Sequence, residues 1–216
     1  RQPIHAGRVG WNKAESARAF VQALDPGVSV TALPRPLTPA NAAGLVARAD
    51  VVLDCADSFA ASYVLSDACL AAGVPLVGIC FGHQIIAQAM GGRVVKHPEG
   101  WRVGAQDYVI GGKPMVLNAW HQDQVVDLPP GARVAGTNEF CQAAALVYDH
   151  RAFTVQPHPE FRDGFIDGLI EHRGGAVPGE LLDRARARRG DADSLALADR
   201  IEAFFKDPEG TADAVL

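Results

Sequence analysis

The sequence predicts an α/β protein built on a mostly parallel sheet, with a small antiparallel portion and a helical carboxy-terminal tail. Three observations carry that expectation. Short apolar runs alternate with helical patterns in the amino-terminal part, strand-like pieces punctuated by glycine pairs follow in the middle, and the remainder after Glu160 is polar and helix-patterned. Apolar strands separated by helices mark βαβ units, which place strands side by side in parallel.

Taken in order, Ala14 to Leu24 is helical by composition, and Val28 to Leu33 alternates apolar and polar residues like a short strand. Pro39 to Ala49 reads as a helix, with Thr38 as N-cap and Pro39 at its first position. Val51-Val52-Leu53 reads as a buried strand, Ala60 to Ala72 as a helix closed by Gly73, and Val74 to Ile79 as another buried strand. A helix from Gln84 to Met90 comes next. Strand-like pieces then run over Val103 to Ile110, Met115 to Asn118, Val134-Ala135, Ala144 to Tyr148 and Phe153 to Gln156, with Asp149-His150-Arg151 as a hairpin turn. Helices are expected over Phe165 to His172, Gly179 to Arg188 and Ser194 to Lys206. The basic run Arg184 to Arg189 sits among acidic residues and reads as a solvated helix face.

Composition narrows the function. A net charge of −5 gives no electrostatic basis for nucleic-acid or anionic-membrane binding. No apolar run approaches the roughly 20 residues needed to span a bilayer, and the start Arg1-Gln2-Pro3-Ile4-His5 lacks a signal-peptide core. Cys55, Cys69, Cys80 and Cys141 form no C-x-x-C pair, which argues against structural zinc, and free thiols without a secretion signal fit the cytoplasm. Cys55, Cys69 and Cys141 read as core or near-core thiols. No metal or cofactor is expected.

Chemistry concentrates at two places. Gly78-Ile79-Cys80-Phe81-Gly82-His83-Gln84 follows an apolar strand and opens a helix. A cysteine between glycines at such a turn has the arrangement of a nucleophile elbow. The glycines allow close approach of strand and helix, the helix N-terminus favours thiolate, and the Phe81 amide is placed to meet an oxyanion. Gln156-Pro157-His158-Pro159-Glu160 ends a later strand. Pro159 disfavours helix at His158, so an extended chain would put His158 and Glu160 on one face, a carboxylate orienting an imidazole.

These two segments together resemble the class I glutamine amidotransferases, whose nucleophile lies in G-x-C-x-G-x-Q and whose His and Glu lie in x-H-P-E. The match extends from about Pro75 to Phe161. Gly91-Gly92-Arg93-Val94, Gly100-Trp101-Arg102-Val103-Gly104 and Trp120-His121-Gln122-Asp123 are similar to free-standing members related to the glutaminase domain of GMP synthase. The resemblance implies a three-layer, flavodoxin-like sheet and a catalytic triad of Cys80, His158 and Glu160. It further implies oxyanion or substrate roles for Phe81, Gly82, Gln84 and His121, although the segment of His121 and Asp123 reads first as a surface loop. The substrate would be the side-chain amide of glutamine or a γ-glutamyl amide, cleaved through a cysteine thioester. Either a synthase partner accepts the ammonia or the reaction is simple hydrolysis. Pro157 departs from the family, which usually carries a bulky or aromatic residue there, and it removes a backbone donor beside the base.

The first 77 residues resemble a different family, the adenylating enzymes that activate ubiquitin-like sulfur carriers in molybdopterin and thiamine biosynthesis. Arg1-Gln2, His5, Val9-Gly10 and Lys13-Ala14-Glu15-Ser16-Ala17 carry this, as do Val51 to Phe59, Asp67-Ala68-Cys69 and Pro75-Leu76-Val77. By that resemblance Arg1, Lys13 and Asp57 correspond to residues that meet ATP phosphates or magnesium. The chain lacks the glycine-rich turn that would cradle the nucleotide, so no working ATP site is expected. Residues 1–216 are expected to form one amidotransferase-like domain whose resemblance changes near 77/78, a chimera of two α/β parents. No apolar strand precedes Trp11, and the Asp54-Cys55-Ala56-Asp57-Ser58 stretch stands where the family places its second oxyanion donor. Two carboxylates there disfavour a developing negative charge. Two alternatives therefore accompany the enzyme reading: a catalytically inactive scaffold or binding module, and a remnant adenylating domain.

Overall fold

The computed structural model describes residue 8 and residues 10–52, 59–149 and 151–214. The described chain divides into two compact units, Arg1–Thr38 and Pro39–Leu216. Among its described residues the first contains one helix, α1 (Lys13–Leu24), begun by Asn12, whose side chain accepts from the Ala14 amide at 2.9 Å. Val28 to Leu33 is not a strand. Pro26, Pro34 and Pro36 bracket the run, Val28 and Leu33 are exposed, and alternation alone makes no strand without a neighbour to pair with.

All strands among the described residues belong to the second unit. It begins with α2 (Pro39–Val46) and α3 (Phe59–Ala72), which pack against each other. Between them Val51 and Val52 carry no strand, and Val51 is exposed rather than buried. Leu53 and the Asp54 to Ser58 stretch lie outside the described residues, as do Arg1, Gln2, His5, Val9 and His150. Gly73, at φ +67, closes α3 as expected. Then follow β1 (Leu76–Ile79), α4 (Phe81–Ala89), β2 (Arg93–Lys96), β3 (Arg102–Ile110), β4 (Lys113–His121) and β5 (Asp123–Asp127). The chain continues through β6 (Arg133–Thr137), β7 (Ala145–Tyr148), β8 (Ala152–Val155), α5 (Asp163–Arg173), α6 (Gly179–Ala187), α7 (Ser194–Lys206) and α8 (Pro208–Ala214).

Six strands form one sheet in the order β1-β8-β7-β6-β3-β4, and β2 pairs with β5 in a separate ribbon. The β1–β8 pairing is parallel and the others are antiparallel, so the parallel component among the described residues is narrower than the alternating pattern of the first third suggests. Strand β4 runs three residues past the expected Asn118, and Pro114 is tolerated within it because β4 is an outer strand. The β2–β5 ribbon was not legible in the sequence. Its segments are short and half-exposed, without clean alternation.

The main core joins Tyr108, Ile110, Leu117, Val147, Phe153 and Val155 of the sheet to Leu197 and Phe204 of α7. A second cluster sets Val103 against Ile166 and Ile170 of α5 and Ala185 of α6, with Trp101 and Trp120 alongside. The basic run is exposed as expected, and tied down as well: Arg186 pairs with Asp183, Arg188 with Asp107 and Arg189 with Asp167. Helix α4 packs against β1 where Gly78 has no side chain. A Cβ there would lie 2.7 Å from the Gly82 backbone and 2.8 Å from Ile86 Cδ1. Gly78→Ala must therefore push β1 and α4 apart, and a loss of about 1–3 kcal/mol is expected, read as a lower urea midpoint.

Candidate active site

The site follows from strand register. β1 and β8 run in parallel with Ile79 opposite Val155, so the next residues, Cys80 and Gln156, leave the sheet at the same edge. The Cys80 amide still donates to the Val155 carbonyl at 2.8 Å. The chain then reverses: Cys80 takes φ 50 and ψ −99, a left-handed conformation that costs a non-glycine residue energy. Its carbonyl accepts the first bond of α4, from the Gln84 amide at 3.0 Å. The predicted elbow is present, and α4 begins at Phe81, directly after the cysteine. Phe81 and Gly82 form its first turn. A Cβ on Gly82 would meet nothing within 4 Å, so the close approach of strand and helix rests on Gly78.

On the other strand, the Gln156 amide donates to Ala144 and the His158 amide to the Asn118 carbonyl, at 2.8 and 2.9 Å. Pro157 thus sits between two bonded amides and leaves the strand end intact. His158 makes an antiparallel bridge with Asn118 of β4, so the imidazole is tethered from the sheet's outer strand. The extended path stops at His158. A turn, closed by the Phe161 amide to the His158 carbonyl at 3.3 Å, returns Glu160, whose Oε1 lies 2.7 Å from His158 Nδ1. The pair meets as expected, through a turn rather than along a strand.

Two residues that sequence reasoning did not single out hold this turn. Phe161 stacks on the His158 ring at 3.7 Å between centroids and 4° between planes. Asn118 Nδ2 donates to the Phe161 carbonyl at 3.0 Å and to Asp163 Oδ1 at 3.3 Å. Phe161 directly follows the motif and could have been suspected. Asn118, far away in sequence, could not.

Burial pushes the His158 imidazole down, but the Cys80 sulfur and the Glu160 carboxylate outweigh it and raise the pKa to about 9. The ring is therefore cationic near neutrality, beside the thiol. His121 behaves in the opposite way. It ends β4, is 5% exposed, and burial holds its pKa at about 4 despite a bond to the Asp123 carbonyl, with the charge of His158 adding to the depression. It is a neutral wall residue, not part of a surface loop.

Cys80, Gln84, Lys96, Trp101, Trp120, His121, Gln122 and Asp123 line a cavity of about 360 Å³. His158 and Glu160 are not in that wall, so Cys80 is the junction between the cavity and the imidazole. A larger cleft, of about 630 Å³, runs past Arg102, Tyr108, Phe140 and Arg188 but holds no nucleophile. Cys69 and Cys141 are buried in the core, and burial raises the Cys141 thiol to about 12. Lys13 opens α1, while its expected companions Arg1 and Asp57 lie outside the described residues.

Comparison with known families agrees with this layout. The model for glutamine amidotransferase class-I matches residues 54–169, and the model for the ThiF family matches residues 1–95. The first match covers more than half of the sequence: the chain belongs to the class I glutamine amidotransferase family, with its flavodoxin-like α/β fold. The two matches overlap across the expected change of resemblance.

A glutamine amidotransferase-like protein of Schizosaccharomyces pombe is 33% identical over 106 residues, 45% of this chain and 43% of that protein. A glutamine-hydrolyzing GMP synthase chain of Sulfurisphaera tokodaii is 36% identical over 97 residues, 41% of this chain and 52% of that one. The SAMP-activating enzyme E1 of Haloferax volcanii is 45% identical over 78 residues, 36% of this chain and 29% of that one. The chain thus aligns with about half of these relatives' length or less. Among solved structures, SMU.1228c superposes with a TM-score of 0.57 at 17% identity, over 67% of this chain and 69% of that one, a likeness of fold.

In Glu160→Gln the His158 midpoint should fall from about 9 towards the ordinary 6.5, measured by NMR titration of the ring. The folded value lies above the ordinary one. The stability from the protonated ring is therefore full below about pH 6.5 and is lost as pH rises through about 9. The stability gap between wild type and Glu160→Gln should narrow across that window in urea titrations.

Proposed function

We propose that this chain is a thiol amidohydrolase that cleaves the side-chain amide of glutamine, or a γ-glutamyl amide, with Cys80 as nucleophile, His158 as acid and base, and Glu160 orienting His158. One observation carries the reading: Cys80, in a strained strand-to-helix turn on a cavity wall, acts on an imidazole already fixed by a carboxylate at 2.7 Å. A cationic ring beside the sulfur is placed to stabilise negative charge there during attack.

The step follows from these charges. The Cys80 thiolate forms a C–S bond to the amide carbon, and the carbonyl π pair moves onto oxygen. Amides in the first turn of α4, at Phe81 and Gly82, lie at the positive end of that helix and suit the resulting oxyanion. As the oxyanion collapses the C–N bond breaks, His158 gives its proton to the departing nitrogen, and ammonia leaves a thioester. A water molecule, deprotonated by the now neutral His158, attacks the same carbon. The C–S bond breaks, releasing glutamate and restoring thiolate and imidazolium. Gln84 and neutral His121 bound the cavity and limit what fits beside the sulfur.

Family membership supports amidotransferase chemistry in general, and the likeness to a glutamine-hydrolyzing GMP synthase chain supports a separate synthase as ammonia acceptor. A cytoplasmic setting suits a reactive free thiol, and no described helix is long and apolar enough to cross a membrane. The test is glutamate release from glutamine by the purified chain. Wild type should release glutamate, and Cys80→Ala should lose at least about 10³ of the rate, as nucleophile removal does in comparable triads. Equal release by both proteins would overturn the assignment of Cys80 as nucleophile, and release by neither would overturn the reading for this chain and move weight to the inactive scaffold.

A further inference from the structure

Gln156 is completely buried at the sheet edge, and its Nε2 lies 3.6 Å from Cys80 Sγ, within hydrogen-bond reach of sulfur. An amide side chain can in principle be turned either way, but here its orientation is fixed by a relay. The Asp123 carbonyl can only accept, so the Gln84 side chain must present its NH₂ group to it, at 2.6 Å. The second hydrogen of that NH₂ group is then directed to Gln156 Oε1, at 3.2 Å. With its oxygen so engaged, Gln156 must turn its own NH₂ group to the sulfur.

We infer that Gln156 is a positioning residue for the Cys80 thiolate, a buried N–H donor aimed at the sulfur and locked in that direction through Gln84 and the Asp123 carbonyl. The assignment rests on the reading of Cys80 as nucleophile. A donor to sulfur favours thiolate over thiol, and a donor held by its neighbours needs no rearrangement when the charge appears. The bond comes from the residue that follows β8, so the sulfur is met from the neighbouring strand end rather than from the elbow that carries it. This gives the buried Gln84 a second function: it lines the cavity and sets the direction of the donor.

The experiment is the pH dependence of iodoacetamide alkylation. It is followed at the Cys80 peptide by mass spectrometry, since Cys55, Cys69 and Cys141 also carry thiols. Gln156→Met keeps the bulk and removes the donor. Its midpoint should rise by about one pH unit, a roughly tenfold smaller thiolate population at pH values below both midpoints. A loss of packing alone would lower the melting temperature and leave the midpoint in place, so an unshifted midpoint in folded Gln156→Met overturns the assignment. Should that variant not fold, Gln84→Met decides. It leaves Gln156 present but unoriented, and a smaller rise is expected, with no rise overturning the assignment. Alkylation needs no turnover. A shifted midpoint in a chain that releases no glutamate would therefore refute the hydrolase reading while sparing this one, and the reverse pattern would do the opposite.

Discussion

The parallel pairing of β1 with β8 is the constraint on which the site depends. Because Ile79 and Val155 finish level, Cys80 and Gln156 leave the sheet together, and the candidate site is assembled from residues that follow the two strand ends. A shift of one residue would turn every side chain of β1 to the other face and carry Cys80 away from its partners. The bond from the Cys80 amide to the Val155 carbonyl, at 2.8 Å, extends the ladder one residue past the strand and holds the strained turn in place. Strain at Cys80 is tolerable because the sheet on one side and α4 on the other over-determine its backbone.

The same pairing explains how two family resemblances coexist in one chain. Strand β1, at Leu76–Ile79, lies inside both matched regions, 1–95 and 54–169. An apolar strand of a parallel pair makes few demands beyond burial and register, so a strand fit for one α/β parent can lead into the elbow of the other. What such a junction does not supply is the rest of the first parent's sheet. Among the described residues, nothing before Leu76 joins a strand, and β1 stands at one end of the sheet order.

The sequence revealed the parts governed by local rules. Glycine-flanked Cys80 after an apolar run, and a histidine and glutamate separated by proline, pointed to the two halves of the candidate site because turns and cap positions restrict which residues fit. Helix α3 was legible for the same reason, through its closing Gly73, whereas α1 was legible from its composition. The amino-terminal strands were misjudged because Val28 to Leu33 and Val51-Val52 have strand composition, and composition does not reveal whether a partner strand exists. Asn118, which pins the His158 turn, and the buried direction of Gln156 depend on contacts across distant segments. No local pattern encodes them. His121 was ambiguous in sequence because a histidine near an active-site mouth looks the same exposed or buried. Only its place at the end of β4 decides.

Strand β4 has a mechanical role beyond sheet formation. Its Asn118 fixes the backbone of His158, and three residues further along it supplies His121 to the cavity wall, with Trp120 between them. The His158 imidazole and part of the cavity wall are therefore both tied to β4, whereas Cys80 follows β1, at the opposite end of the strand order. A substitution that displaces Asn118 would therefore reach the His158 turn and this stretch of cavity wall together.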